Sequence, residues 1–339
     1  MSAFLSKAKR WLPGALISIL LIAAILYFVD LSQVVNAFRL ADYRLLAAAG
    51  VLAFLWMFVR GIVWRTLLRD RPTYRDSMLP LSEGYLLNNF LPFRLGEIGR
   101  AFVLSRRSKL TFSEILPTIV IERAVDLFFS ALIFLGALPF VVGAQGAGRI
   151  ASIVGAVIVL GLVFLYVLAR RRQPALDLFH RWSARWPTLQ RHGGGLLESF
   201  LTGLGVLTDG WLFARFLLWM AINWGVAIVN YTVIILAFFP KTKLVWGMFG
   251  LGAAAFGGAI PSLPGSVGTF DGAVAGALTL LTGDQSTSLA VALMARFFNY
   301  LTSIVLGGYA LSREGQTISG IYQQLNSLRS RKESDDPAV

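Results

Sequence analysis

Two stretches rich in proline and glycine restrict this chain more than any other feature. They are Leu91-Pro-Phe-Arg-Leu-Gly-Glu-Ile-Gly-Arg100 and Ser262-Leu-Pro-Gly-Ser-Val-Gly-Thr-Phe-Asp271, each set among apolar runs long enough to cross a bilayer. No water reaches that depth, so a broken helix there must be covered by protein or line a hydrated cavity. The two stretches overlay. Pro92 and Gly96 match Pro264 and Gly268, and Glu97 falls near Asp271. An arginine follows each proline within the next apolar span, Arg123 after 31 residues and Arg296 after 32. One unit used twice is the organisation of transporters built from internal repeats.

Composition supports a bilayer setting. Of 339 residues, 56% are hydrophobic and 14% charged, whereas soluble domains carry about 25% charged residues. The mean hydropathy is +0.67. With no cysteine there are no disulfides or thiolate metal sites, and His180 and His192 alone give no basis for a histidine metal centre. No metal or cofactor is expected. The net charge of +13 does not point to nucleic acid, because membrane loops concentrate Lys and Arg on one side for topological reasons.

A basic start, Lys7, Lys9 and Arg10, precedes an apolar run over residues 11–29 that has no small-residue cleavage pattern and reads as a retained first helix. Further spans are expected over about 44–68, 113–142, 150–169, 210–239 and 286–311, with the broken segments over 80–105 and 244–282. Glycine-rich turns are expected at 143–148 and 193–195, the second within a cytoplasmic amphipathic segment over 171–208. The fold expected is all-α: one polytopic helical membrane domain over 1–312, then a basic tail over 313–339. Inside the domain lie two inverted repeats, at about 44–142 and 210–311, each holding a re-entrant helical hairpin broken by proline and glycine.

Charge sets the orientation. With a cytoplasmic N-terminus and each broken segment entering and leaving on one side, five basic residues fall outside: Arg39, Arg44, Arg149, Lys241 and Lys243. Six lie at membrane depth, namely Arg60, Arg94, Arg100, Arg123, Arg215 and Arg296, and the remaining 20 of 31 face the cytoplasm. This is the bias of the positive-inside rule, and it places both termini in the cytoplasm of a multi-pass cell-membrane protein. The first hairpin then enters from the cytoplasmic side and the second from outside.

In each hairpin the second half-helix begins at membrane depth, where backbone N–H groups have no helical acceptor and attract anions. The candidate substrate-binding residues are Arg94, Glu97, Arg123 and Asp126 from the first repeat. From the second they are Gly265, Ser266, Gly268, Asp271, Arg296 and Asn299. A membrane lipid with an anionic headgroup is the partner this set suits. Another reading stays open: the arginines neutralise Glu97, Glu122, Asp126 and Asp271 as structural pairs, since a lone charge at the bilayer centre costs about 3 kcal/mol or more. Trp56, Trp64, Trp211, Trp219 and Trp246 read as interfacial anchors and packing residues. Gly250, Gly252, Gly257 and Gly258 form a small-residue face suited to a packed hairpin or to a homo-oligomer contact.

Three runs carry a resemblance: NNFLPFRLGEIGRA (88–101), IERAVDLF (121–128) and PSLPGSVGTFDGA (261–273). In this order they resemble the flippase-like membrane family named for the transmembrane region of lysylphosphatidylglycerol synthases, and the similarity covers about residues 10–312. It implies a carrier that moves lipids or lipid-linked precursors between leaflets. Phe93 stands where the family has glycine, and Asp271 where it has glutamate, which alters carboxylate reach. The synthases carry a soluble aminoacyl-transfer domain after the membrane region; here 28 residues follow Leu311, so synthase activity is not expected. An intramembrane lipid-modifying enzyme, such as a lipid-linked glycosyl or phosphoryl transferase using Asp126 and Asp271, is the rival class. The common hydrolase and nucleotide-binding signatures are absent from the sequence.

Overall fold

A computed structural model describes residues 30–91, 94–142, 166–183, 204–260 and 262–314, with scattered residues between 156 and 201. The expected first span at 11–29, Pro92, Phe93, the turn at 143–148, most of the span at 150–169, most of the turn at 193–195 and the tail after 314 lie outside the described residues. Among those described there are helices and turns and no strand. In order these are α1 (Leu31–Leu40), α2 (Tyr43–Leu67), α3 (Tyr74–Phe90), α4 (Leu95–Arg107), α5 (Phe112–Ala137), a single turn at Pro139–Val142, α6 (Arg172–Ser183), a 3-10 turn at Leu204–Thr208, α7 (Gly210–Phe238), α8 (Leu244–Ala259), a 3-10 turn at Pro264–Ser266, α9 (Thr269–Thr282) and α10 (Gln285–Glu314).

Local chemistry explains where these helices begin. Asp42 accepts the Arg44 and Leu45 N–H groups to open α2, and Asp209 accepts from Leu212 to open α7. Thr111 and Glu114 form a reciprocal capping box at the start of α5. The first broken segment starts earlier than the proline suggests. Thr73 caps α3 through the Asp76 N–H, and Pro80 lies buried inside the helix.

Helices α2, α5, α7 and α10 are long and apolar enough to cross a membrane. Between them sit shorter helices of 17 residues (α3), 13 (α4), 16 (α8) and 14 (α9). At 1.5 Å per residue these reach roughly 20–25 Å, short of a hydrocarbon core of about 30 Å. α3 packs on α4 and α8 on α9, so each half runs long, short, short, long.

The long helices α2 and α7 are antiparallel neighbours held in register by polar contacts. At one end Asp42 N–H donates to Ala237 O (2.9 Å). Further along, the Asn230 amide donates to Ala49 O (2.6 Å) and the Asn223 amide to Trp56 O (2.9 Å). At the far end Arg215 pairs with Asp70. This places Arg215 beside the turn after α2, at the helix ends, and not at mid-depth as its sequence context suggests. Arg71 reaches Glu114 at the start of α5 at this same end (3.1 Å). The starts of α3, α5 and α7 are thereby gathered together, while α8 departs from the opposite end after Phe239.

Three apolar clusters hold the bundle together. Leu46, Tyr231, Leu278 and Phe298 join α2, α7, α9 and α10, and Met57, Leu81, Leu104 and Ile115 join α2 through α5. Leu176 and Leu204 of the segment at 171–208 cluster with Val63 of α2, Val125 of α5 and Phe216 of α7. The glycine face of α8 is used within the chain, where a Cβ at Gly252 would collide with Phe134 of α5 and one at Gly257 with Ala273 of α9. Trp64 is wholly buried, with its indole N–H on the Thr118 hydroxyl, so it is a core residue and not an interfacial anchor.

Candidate functional site

The tips of the two hairpins meet. Arg94, in the left-handed region at φ 52°, precedes α4 and donates to Gly258 O at the end of α8 (2.8 Å), where carbonyls lack helical donors. The Asn89 amide of α3 donates to the Ser303 hydroxyl of α10 (2.6 Å). Gly265, Ser266 and Gly268 in the second tip also have positive φ. At Gly265 a Cβ would strike the Tyr300 hydroxyl, so the bend admits no side chain.

Glu97 and Asp271 each occupy the third position of their helix, and each pairs with the arginine of the following long helix. Arg123 Nη2 lies 2.5 Å from Glu97 Oε1, and Arg296 Nε lies 2.6 Å from Asp271 Oδ1. Beyond this shared element the halves diverge. Glu97 also meets Arg100 (2.8 Å), and Arg100 meets Glu122 (3.1 Å). Arg60, from the middle of α2, contacts Glu122 (2.5 Å) and Asp126, and Arg123 closes the ring onto Asp126 (3.2 Å). Three guanidiniums and three carboxylates thus balance within one cluster. Arg60, Arg100 and Glu122 are buried, and the Arg100 guanidinium also lies over the Trp64 ring, 4.7 Å from its centroid. The Trp224 indole N–H donates to Asp126 (3.3 Å).

In the second half Asp271 receives two guanidinium bonds and the Gly268 N–H (3.0 Å), capping its own helix. The corresponding backbone donor in the first tip, Gly96 N–H, is taken by the Asn88 side-chain oxygen (2.9 Å). Each tip therefore satisfies at least one of the N–H groups that have no helical acceptor.

A cavity of about 570 Å³ opens where the halves meet. Its polar lining includes Arg60, Arg94, Glu97, Arg123, Asp126 and Asn299; Trp56, Tyr85, Trp224, Phe270 and Phe298 supply the aromatic wall. A smaller space of about 220 Å³ continues between the tips, reaching Gly265, Ser266 and Arg296. Apolar walls with a few convergent polar groups are the usual form of a small-molecule site. Of the sequence candidates, Arg94, Glu97, Arg123, Asp126 and Asn299 line the larger cavity, and Gly265, Ser266 and Arg296 line the smaller. Gly268 and Asp271 lie behind these as supports. Arg60, Tyr85, Asn223 and Trp224 also face the larger cavity. For Arg60 the signal was a charge in mid-span. Asn223 is likewise a polar side chain inside an apolar span, whereas Tyr85 and Trp224 carry no signal that separates them from ordinary residues of an apolar helix.

Short helical hairpins converging on a charged cavity among long apolar helices define a polytopic helical membrane protein with a polar site inside the bundle. The family model described as lysylphosphatidylglycerol synthase TM region matches residues 11–307, and the chain belongs to that family. It is 24% identical over 294 residues to a protein of Haloferax volcanii named glycosyltransferase AglD, covering 76% of this chain and 47% of the relative. The chain thus spans about half the length of that relative. A UPF0104 membrane protein of Methanothermobacter thermautotrophicus is 22% identical over 315 residues, covering 89% of this chain and 93% of the relative. No solved structure matches.

Proposed function

We propose that this protein is a lipid transporter that carries an anionic or lipid-linked amphiphile between leaflets, its headgroup held in the cavity where the hairpins meet. The observation that carries the reading is the placement of Arg94 and Arg123 on one cavity with an aromatic wall. Cations inside an apolar bundle attract an anionic headgroup, and apolar chains are left to the bilayer. In this reading the hairpins are re-entrant and the halves form inverted repeats, which is supported by the short lengths of α3, α4, α8 and α9 and by the meeting of the tips. Alternating access then amounts to one hairpin unit moving against the other.

The name of the Haloferax relative favours a second reading, an enzyme acting on a lipid-linked sugar. Against it, Asp126 is occupied by two guanidiniums and an indole N–H, and Asp271 by one guanidinium and a backbone N–H, so neither is aimed at a substrate as a base. Reconstitution into liposomes with fluorescent phospholipids and polyprenyl phosphates separates the two. A transporter changes the leaflet of an intact anionic lipid, whereas an enzyme changes the lipid chemically. Equal movement of anionic and neutral headgroups would refute the proposed site.

A further inference from the structure

Two short helices, one at each end of the bundle, carry apolar side chains on two different sides. α6 is seated through Leu176, which clusters with Val63, Val125 and Phe216 near the start of α7, and Ser183, two turns on, is buried as well. Leu178 and Trp182, one turn apart on another side, are 70% and 61% exposed. Gln173, Asp177 and His180 take the remaining, polar side. α1 repeats the design where α7 ends. Its Val34 is buried with Leu289 and Ala290 of α10, and Phe38 meets Phe238 edge-on, while Leu31 and Val35 are 55% and 52% exposed. A helix with one face on protein and an apolar face left outward fits the plane of a bilayer interface.

The chain leading into α6 sets its level. Leu160, Phe164 and Val167, from the span expected at 150–169, expose their side chains as a lipid-facing stripe does. The Arg171 N–H then donates to Val167 O (2.8 Å) and the Ala175 N–H to Arg171 O (3.1 Å), so the backbone passes from that stripe into α6 within a turn. Charge separates the two helices. Residues 30–40 hold Asp30 and Arg39, whereas residues 170–183 set four arginines against Asp177. Arg172 is answered by Glu198 (3.0 Å), but Arg170, Arg171 and Arg181 are exposed. We propose that α6 is a lipid-surface site distinct from the cavity: Leu178 and Trp182 enter the leaflet at this end of the bundle, and Arg170, Arg171 and Arg181 draw the helix onto anionic headgroups. α1, without net charge, attaches by apolar contact alone. Each basic residue near an anionic surface strengthens attachment about fivefold, and salt screens the effect. A soluble protein partner would need the stripe open to water, which the lipid-facing span running into it argues against. The inference holds whatever the cavity carries.

The test uses the full chain in nanodiscs of phosphatidylcholine with and without phosphatidylglycerol. Leu178→Cys, Val35→Cys and Gln173→Cys, each a single cysteine in a chain that has none, would carry a fluorophore, and lipids with a nitroxide near the headgroup would quench it. Quenching is expected at 178 and 35 and not at 173. Phosphatidylglycerol should raise it about twofold at 178 and leave 35 unchanged. The double variant Arg171→Gln/Arg181→Gln should lose that rise at an unchanged melting temperature. High salt should remove it with the arginines in place, which keeps the test decisive if the double variant fails to fold. An unquenched probe at 178 would put this face in water, open to a soluble partner, and overturn the proposal. An equal response at 35 and 178, or a rise that survives both salt and the double variant, would show that the arginines do not select anionic lipid.

Discussion

The two hairpins begin their second helices alike, with a carboxylate at the third position and an arginine one long helix later, yet they settle that charge in different ways. In the second hairpin one pair is sealed, Asp271 capping its helix and Arg296 committing every donor to the tip. In the first, charge is shared among six side chains with several exchangeable partners, while Arg94 reaches across to the Gly258 carbonyl of the second half. A single saturated pair is rigid and has no substitute nearby. A network has redundancy, so one member can engage a ligand while its former partner keeps another cation. The same pairing element thus sits in one half as a closed, saturated pair and in the other as part of a shared network.

The sharpest way to break this comparison is to remove the buried centre of the network. Arg60 is 1% exposed; Arg60→Ala leaves excess negative charge in a dry site and should cost about 3–5 kcal/mol. Melting temperature and yield in detergent would show it. Arg296→Ala comes next. Asp271 loses its one cation but keeps the Gly268 N–H, so the loss should be about 3 kcal/mol, at the low end for a broken buried pair. A neutral result in the same melting assay would show that the Arg296–Asp271 pair does not hold the second tip in place.

Arg123→Lys should hardly move the melting temperature, by the equivalent of less than about 1 kcal/mol, because charge is kept and Glu97 and Asp126 retain Arg100 and Arg60. Lipid movement in liposomes should nonetheless fall at least about tenfold, through loss of the planar fork. Full transport would transfer the recognition role elsewhere. The least perturbing test uses single cysteines at Ser108 and Asp284 in this cysteine-free chain. With hairpins entering from opposite faces, an impermeant thiol reagent added to intact cells should label position 284 and spare 108. Labelling of both from one side would remove the relation between the halves on which the comparison depends.

Much of this arrangement is legible in the residues themselves. The mean hydropathy, the long apolar runs and the paired spacings from proline to arginine locate four long helices, two breaks and the Glu97–Arg123 and Asp271–Arg296 partners. These are local properties: apolar run length follows bilayer thickness, and a cap acts within three residues. Boundaries drift where a stronger local cap competes, as Thr73 does with Pro80.

What the residues alone do not decide is which charges meet across the bundle. Arg60 and Arg215 look equivalent as lone arginines in apolar spans, yet one neutralises Glu122 and Asp126 at the core and the other meets Asp70 at a helix end. Arg123 and Arg296 look equivalent by spacing, yet one has an idle donor and the other none. Helical period fixes the direction of a side chain from its own axis. The register between helices more than a hundred residues apart in sequence, here set by Asn223 and Asn230 on the α2 backbone, decides what it meets. Local sequence therefore determined that these charges lie within apolar spans, and the packing of distant helices determined which partners each of them meets.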